Sequence, residues 1–155
     1  MSMKISELLN PQAIVAELQA RDKSRVLAEL TDALVACEPS LEREEVIEVL
    51  QEREKLGSTG IGDGVAIPHG KLGRIPELML VFGRSRQGVD FESMDGQPAH
   101  LFFLLVAPEE SVGVHLKTLA RISKLLKDAS VRQKLLNASN QEAIYQVILD
   151  EEDQA

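Results

Sequence analysis

The sequence contains a single cysteine, Cys37, and this scarcity excludes two kinds of site. One thiol cannot form an intrachain disulfide, and it cannot supply the cysteine cluster of a metal site. Cys37 falls on the apolar stripe of a predicted helix, where a free cysteine behaves as a small hydrophobic side chain. We therefore expect a buried structural thiol.

Long apolar runs are also absent from the sequence. None is long enough to cross a bilayer, and the first ten residues, MSMKISELLN, lack the apolar stretch, about seven residues or more, of a signal peptide. Basic side chains are the minority, with 17 Lys and Arg against 25 Asp and Glu, for a formal net charge of -8. This charge repels nucleic acid backbones and anionic lipid surfaces. We expect a cytoplasmic protein with no nucleic acid partner and no direct membrane insertion.

The apolar pattern predicts a single layered α/β domain over residues 1–155, with an ordered core of about 4–150. Two runs that are apolar without alternation, 78–83 and 101–107, predict strands covered on both faces by helices. A short strand at 89–91 is predicted between them. Turns are expected on either side of it, at Gln87-Gly88 and at 94–96.

Helical spacing of apolar residues predicts five helices. The first spans 22–37, with Asp22 or Ser24 as its N-cap. The second follows a Ser40 cap and runs to about Arg53. The later helices are expected over 112–127, near 131–136 and over 141–149, and the last five residues, EEDQA, are expected to fray.

A glycine-rich segment, LGSTGIGDGVAIPHG at residues 56–70, follows the second helix. It predicts an ordered loop that feeds a short strand at 65–67, which Pro68 ends. Its glycines fit neither G-x-x-x-x-G-K-[ST] nor G-x-G-x-x-G before a helix. The segment therefore does not indicate a nucleotide site.

The same segment carries groups of the kind that cradle a phosphate. These groups are the hydroxyls of Ser58 and Thr59 and the unencumbered backbone N–H groups near Gly60 and Gly62. Glycine lets a backbone approach a ligand closely, although many glycine-rich loops are simple turns. We predict that these four residues contribute to a phosphate site.

Among the three histidines, His69 has the most distinctive setting. It lies between Pro68 and Gly70 at a predicted strand end, where side chains leave the sheet and ligands commonly bind. A neutral imidazole carries a nucleophilic nitrogen, and phosphorylation there gives a labile bond suited to onward transfer. A turn histidine without a chemical task is the alternative.

Arg53 and His115 are the other candidates for chemistry. Arg53 lies on the buried stripe of the second helix, where its guanidinium needs an anion, either a structural carboxylate or a phosphate. His115 lies on an apolar helix face near the helix start, either as a core histidine or at the sheet edge beside the site. His100 has no polar companions nearby in the sequence, and we assign it no role.

The run REKLGSTGIGDGVAIPHGKL, residues 53–72, closely resembles the active-site signature of IIA proteins of the mannitol/fructose class of the bacterial phosphotransferase system. It is most similar to their nitrogen-regulatory branch. The resemblance implies a phosphotransferase component in which His69 accepts a phosphoryl group from the carrier protein HPr. It also implies that Arg53 helps to hold that group and that His115, in GVHLKTL, assists.

The resemblance implies a fold as well, a mixed, mostly parallel sheet of about five strands flanked by helices. Transfer between two histidines depends on positioning and charge stabilisation, so we expect no cofactor and no metal. Asp63 adds a negative charge at a position that the family fills variably.

Three functions are compatible with these residues. The first is a histidine phosphoryl carrier that acts as a nitrogen-related regulator, with target proteins such as transporters or kinases that distinguish the phosphorylated form. The second is a sugar-specific IIA component that relays phosphate to a IIB or permease partner. The third is a metal-dependent hydrolase using His69, His115 and Asp63, whose spacing matches no strong metal motif. The runs STGIG and AIPHGKL favour the regulator.

Overall fold

The computed structural model describes residues 4–73 and 75–153, and this part of the chain forms six helices and six strands. The helices are α1 (Ile5–Leu8), α2 (Lys23–Cys37), α3 (Arg43–Lys55), α4 (Val112–Lys127), α5 (Ala129–Asn137) and α6 (Gln141–Asp153). The strands are β1 (Leu9–Val15), β2 (Gly60–Gly62), β3 (Val65–Ala66), β4 (His69–Leu72), β5 (Met79–Val89) and β6 (Ala99–Pro108).

The strands form one mixed sheet in the order β1-β5-β6-β3-β2, and β4 also pairs with β6. The pairings β1–β5, β3–β6 and β4–β6 are parallel, whereas β2–β3 and β5–β6 are antiparallel. This confirms the expected α/β fold with a mixed, mostly parallel sheet, although the sheet has six strands where about five were expected.

The core lies on both faces of β6. Residues 101–107 are all at most 1% exposed. Because successive side chains of a strand point to opposite faces, this uninterrupted burial requires cover on both sides of the sheet. Phe103 packs edge-on against Phe82 of β5, with ring centroids 5.0 Å apart. The run of apolar residues without alternation therefore correctly predicted a strand that is covered on both faces.

The predicted helices agree with the structure, with differences at their caps. Asp22 caps α2, because its side chain accepts a hydrogen bond from the backbone N–H of Arg25. The predicted Ser40 cap of α3 is wrong. The N-cap residue is Glu42, and the Ser40 hydroxyl donates instead to the Glu38 carboxylate.

The expectation that the last five residues fray also needs correction. The tail does not fray from Glu151, since α6 continues to Asp153; residues 154 and 155 lie outside the described part of the chain. The Glu152 carboxylate stabilises this end by accepting hydrogen bonds from the backbone N–H groups of Ile5 and Ser6.

Cys37 is partly buried rather than fully buried, and burial raises the pKa of its thiol.

Two elements near the start of the chain, α1 and β1, have no predicted counterpart. The strand β1 contains Pro11 and polar neighbours, which obscure its pattern. It forms one edge of the sheet, where a missing backbone N–H is tolerated.

The predicted turn at Gln87-Gly88 is wrong, because β5 continues through it to Val89. Gly88 has a φ of 92°, and the register with β6 shifts between Arg84 and Val89. Of the strand expected at 89–91, only Val89 is in a strand, as the last residue of β5, and Asp90 forms an isolated bridge with Asp22, while the turn at 94–96 is present.

The glycine-rich segment contains more strand than predicted. A turn at Asp63 and Gly64, with φ values of 58° and 77°, joins β2 to β3. The strand β3 ends at Ala66, and after Ile67-Pro68 the chain pairs again with β6 as β4. His69 therefore begins a strand and does not end one.

Within residues 4–73 and 75–153, none of the helices combines the length and the apolar character that a membrane span requires.

Candidate functional site

An open cavity of about 560 Å³ lies where α3, β4 and α4 meet. It brings together three side chains that the sequence singled out for chemistry: His69 from β4, Arg53 from α3 and His115 from α4. Leu56, Val112, Leu116 and Leu119 give the cavity apolar walls, and Lys71 adds a second cation.

Close packing between α3 and β4 brings Arg53 to His69. A Cβ atom at Gly70 would overlap Cγ1 of Val49, so the glycine after His69 allows the helix to approach the strand. Arg53 follows Val49 by about one helical turn and therefore projects from the same side of α3. On the other side of the cavity, His115 lies in the first turns of α4, which follows β6 after a short connection.

The hydrogen bonds of His69 define its tautomer. Its Nδ1 lies 2.8 Å from the carbonyl oxygen of Ile67. Because a carbonyl can only accept, Nδ1 carries the proton, and Nε2 of the neutral ring keeps its lone pair. The Arg53 Nε–H donates to this Nε2 at 3.3 Å. The nucleophilic nitrogen of His69 is therefore Nε2.

Arg53 is held by the loop that follows α3. Its Nη1 donates to the carbonyl oxygen of Gly57 at 3.0 Å while its Nε faces His69. Gly57 has a φ of 143°, a conformation that favours glycine. Within the described residues no carboxylate forms a salt bridge with Arg53, so its charge is available to an anion near His69.

His115 is both buried and part of the site. It is 6% exposed, and its ring centroid lies 5.5 Å from that of His69 in an edge-on arrangement with an interplanar angle of 78°. Its Nδ1 is buried and has no hydrogen-bond partner among the residues that the structure describes. Core histidines normally have partners for their ring nitrogens. The unpaired nitrogen therefore favours a role at the site.

Burial lowers the pKa of both imidazole rings, those of His69 and His115. For His69 the desolvation is reinforced by the nearby charge of Arg53 and opposed by the hydrogen bond to the Ile67 carbonyl. For His115 the pKa is lowered by burial, then by His69 and then by Lys71. Both imidazoles are therefore neutral at pH 7, and His69 has its nucleophilic lone pair available.

We predict that both rings titrate at lower pH in the folded protein than in the urea-unfolded chain. Unfolded histidines take up protons near pH 6.5, so the stability that the neutral rings contribute is complete above about 6.5 and is lost as the pH falls through the folded pKa values. NMR titration of the two rings, with urea denaturation midpoints over the same pH range, measures this. A folded-state titration midpoint above 6.5 for either ring would contradict the prediction.

The other predicted phosphate-binding residues, Ser58, Thr59, Gly60 and Gly62, do not line the cavity. The Ser58 hydroxyl donates to the carbonyl oxygen of Phe91 at 3.2 Å and accepts from the N–H of Gly60. The Thr59 hydroxyl is buried and donates to a carboxylate oxygen of Glu54. A phosphate-binding role for these four residues stays a prediction.

Two residues that bear on the site were not predicted: Lys71, which lines the cavity, and Glu54, which does not line it but binds Thr59. Lys71 follows His69 by two positions in one strand, a spacing that places both side chains on the same face. Glu54 adjoins Arg53, but no pattern in the sequence marks its carboxylate as buried. Asp63 is exposed in the β2–β3 turn and does not line the cavity, and the described residues include no cluster of three or more His, Cys, Asp or Glu that could hold a metal.

The chain is similar to known proteins over nearly its whole length. The model of the family described as "Phosphoenolpyruvate-dependent sugar phosphotransferase system, EIIA 2" matches residues 7–151. A nitrogen regulatory protein of Bradyrhizobium diazoefficiens is 47% identical over 146 residues, which are 94% of this chain and 95% of that protein. The fructose-specific EIIABC component of Bacillus subtilis is 40% identical over 146 residues, which are 94% of this chain but 23% of that protein.

The fold has close counterparts among solved structures. The nitrogen regulatory protein IIA-Ntr from Neisseria meningitidis is 37% identical and superposes with a TM-score of 0.87, covering 93% of this chain and 98% of that one. Sequence and backbone therefore agree on the same group of proteins.

Proposed function

Because the chain belongs to the EIIA 2 family of the phosphoenolpyruvate-dependent sugar phosphotransferase system, we propose that it is a phosphoryl carrier whose acceptor is Nε2 of His69. The family implies phosphotransferase activity in general. The observation that supports this acceptor is the pair of contacts on His69, with Nδ1 at the Ile67 carbonyl and Nε2 at Arg53. This pair keeps a neutral, nucleophilic nitrogen beside a cation at an open cavity.

In the proposed step the lone pair of Nε2 attacks the phosphorus of a donor phosphohistidine. The new N–P bond forms as the donor's N–P bond breaks, and the donor imidazole leaves with the electrons of that bond. The proton on Nδ1 of His69 stays at the Ile67 carbonyl, which stabilises the positive charge that the ring acquires. Transfer from a donor ring that is protonated on its other nitrogen therefore needs no separate acid or base.

Arg53 and His115 would stabilise the transferred group. The guanidinium of Arg53 neutralises charge on the phosphoryl oxygens beside Nε2. A ring N–H of His115, whose ring lines the cavity beside His69, would donate to a phosphoryl oxygen. Both groups are in place before the reaction, which is the arrangement that favours charge development in a transition state.

The rim of the cavity supports a protein as the phosphoryl donor. Leu56, Val112 and Leu116 are 84%, 50% and 61% exposed around the opening. Apolar side chains grouped at an opening mark interaction surfaces, since burial against a partner removes them from water. We propose that an HPr-like phosphocarrier docks here, with Lys71 and Arg53 facing the phosphoryl group that it carries.

The regulator is the better supported of the two roles for a carrier. The nitrogen regulatory protein is 47% identical over 94% of this chain, whereas the fructose-specific component is 40% identical over the same share of this chain. We propose that target proteins, with transporters and kinases as candidates, distinguish phosphorylated from unphosphorylated His69. A sugar-specific role is the second candidate, which the 40% identity to the fructose-specific component supports.

Phosphoryl transfer can be tested by reconstitution. The protein is incubated with enzyme I, HPr and phosphoenolpyruvate, each omitted in turn, and acid-labile phosphate is mapped by peptide analysis. The proposal expects labelling of His69 that needs all three components, and no labelling would refute it. Adding a fructose-type or mannitol-type IIB domain then separates the two roles, because onward transfer to IIB supports the sugar-specific one.

Replacement of Arg53 by lysine is predicted to slow transfer. An ammonium group cannot contact Gly57 and His69 at once, and a single lost charge-assisted hydrogen bond corresponds to about tenfold or more in rate. Quench-flow measurement of His69 labelling from phosphorylated HPr gives the rate. Lys55→Arg, the reverse exchange on an exposed side chain of α3, is the control. A wild-type rate for Arg53→Lys would assign Arg53 a structural role.

A further inference from the structure

We propose that Glu54 is a positioning residue whose buried carboxylate fixes His69 from both sides, through Thr59 on one side and the loop that holds Arg53 on the other. This inference rests on the proposed function of His69. Glu54 itself does not line the cavity.

The Glu54 carboxylate joins three segments of the chain. Its Oε1 accepts from the backbone N–H of Thr59 at 3.1 Å, and its Oε2 accepts from the Thr59 hydroxyl. Lys23, at the start of α2, places its Nζ 3.0 Å from Oε1. The side chains of Lys23 and Glu54 are only 15% and 5% exposed, so the ion pair is poorly screened by solvent. The start of α2, the end of α3 and the glycine-rich segment are thereby held together.

One chain of contacts leads from this carboxylate to Nδ1 of His69. Thr59, anchored by Glu54, accepts a hydrogen bond at its carbonyl from the N–H of Ile67 at 3.0 Å. Ile67 in turn offers its own carbonyl to Nδ1 of His69. The anchored Thr59 therefore holds in place the residue that selects the His69 tautomer.

A second chain of contacts leads to Nε2 of His69. The N–H of Gly57 donates to the Glu54 carbonyl at 3.1 Å, and the Gly57 carbonyl accepts from Arg53. The hydrogen bonds from Thr59 to the Glu54 carboxylate hold this loop, residues 57–59, against the end of α3. Arg53, so held, donates to Nε2. The Glu54 backbone thus holds Gly57 directly, and its carboxylate supports the same loop through Thr59.

Thr59→Val tests the first chain of contacts, because valine keeps the shape of threonine and removes the hydroxyl. We expect the ring ¹⁵N shifts of His69 to move from a pure Nδ1–H tautomer towards a mixture, and phosphoryl transfer to slow about tenfold. Long-range ¹H–¹⁵N correlation spectra give the tautomer without any phosphoryl donor. His100, whose Nδ1 lies 2.8 Å from the Ser85 carbonyl, serves as the internal reference.

Thr31→Val is the matched control. Thr31 is fully buried in α2 and donates its hydroxyl to the Leu27 carbonyl, so the same exchange removes a buried hydrogen bond far along the chain from the site. It should lower stability without changing the His69 tautomer or the transfer rate. Thr59→Ser keeps the hydroxyl, and we expect its His69 to have the same tautomer as in the wild type.

The outcomes separate the inference from its alternatives. Slower transfer with an unchanged tautomer in folded Thr59→Val would overturn positioning and would favour direct phosphate binding by Thr59. If Thr59→Val does not fold, Glu54→Gln keeps the size of the side chain, removes its charge, and should give the same change of tautomer; an unchanged tautomer would again overturn the inference. A wild-type protein that accepts no phosphate, with the tautomer still dependent on Thr59, would refute the proposed function alone.

Discussion

His69→Ala should abolish phosphoryl acceptance and leave the fold intact. The substitution removes Nε2, and among the residues that the structure describes no other nitrogen at the cavity accepts a hydrogen bond from Arg53. His69 is only partly buried, and its hydrogen bond to Ile67 contributes about 1 kcal/mol, a small part of the stability of a domain. Phosphate incorporation from phosphorylated HPr and the urea denaturation midpoint, measured on one preparation, test both parts.

His100→Ala is the matched control for this experiment. His100 is also partly buried, and its Nδ1 also lies 2.8 Å from a backbone carbonyl, that of Ser85, but it lies outside the cavity. We expect this variant to be labelled like the wild type. Undiminished labelling of folded His69→Ala would remove the acceptor from the proposal, whereas loss of labelling in both variants would indicate damage to the fold.

The parts of the fold that could be predicted are those whose sequence pattern reflects burial directly. The run 101–107 is apolar without interruption because both faces of β6 are covered, and α4 was predicted with its observed bounds because its apolar face is regular. The strand β4 was not predicted, since HGKL is short and its extended form comes from pairing with residues 105–108 of β6. The strand β1 was not predicted because Pro11 disfavours a strand except at the edge of a sheet. Only the folded structure shows that β1 lies at an edge.

The same distinction applies to the site. His69 and Arg53 could be found because a dense motif carries them, and their meeting depends on Gly70, which the motif includes. The partners of the Ser58 and Thr59 hydroxyls could not be found, because a hydroxyl in a loop pairs with whatever tertiary structure brings to it. For Thr59 that partner is Glu54, five residues earlier, whose buried carboxylate also pairs with Lys23 of α2.

His115→Ala should slow phosphoryl transfer about a hundredfold, the loss that follows removal of one preorganised donor to a developing charge. A buried histidine would ordinarily leave a cavity and an unpaired partner when truncated, at a cost of roughly 2 kcal/mol or more. His115 differs, because its Nδ1 has no partner among the described residues and its ring already borders an open cavity. We therefore expect a stability loss of about 1 kcal/mol or less.

Transfer rates and denaturation midpoints, measured on the same His115→Ala preparation, decide between the two roles of His115. His115→Gln adds a second test, since its amide N–H can replace part of the lost donor and should recover part of the rate. A role at the site predicts slow transfer in a stable protein, because the unpaired ring nitrogen contributes little to folding. A variant that is destabilised by 2 kcal/mol or so but transfers phosphate at the wild-type rate would make His115 a core residue and leave Arg53 as the partner of the phosphoryl group.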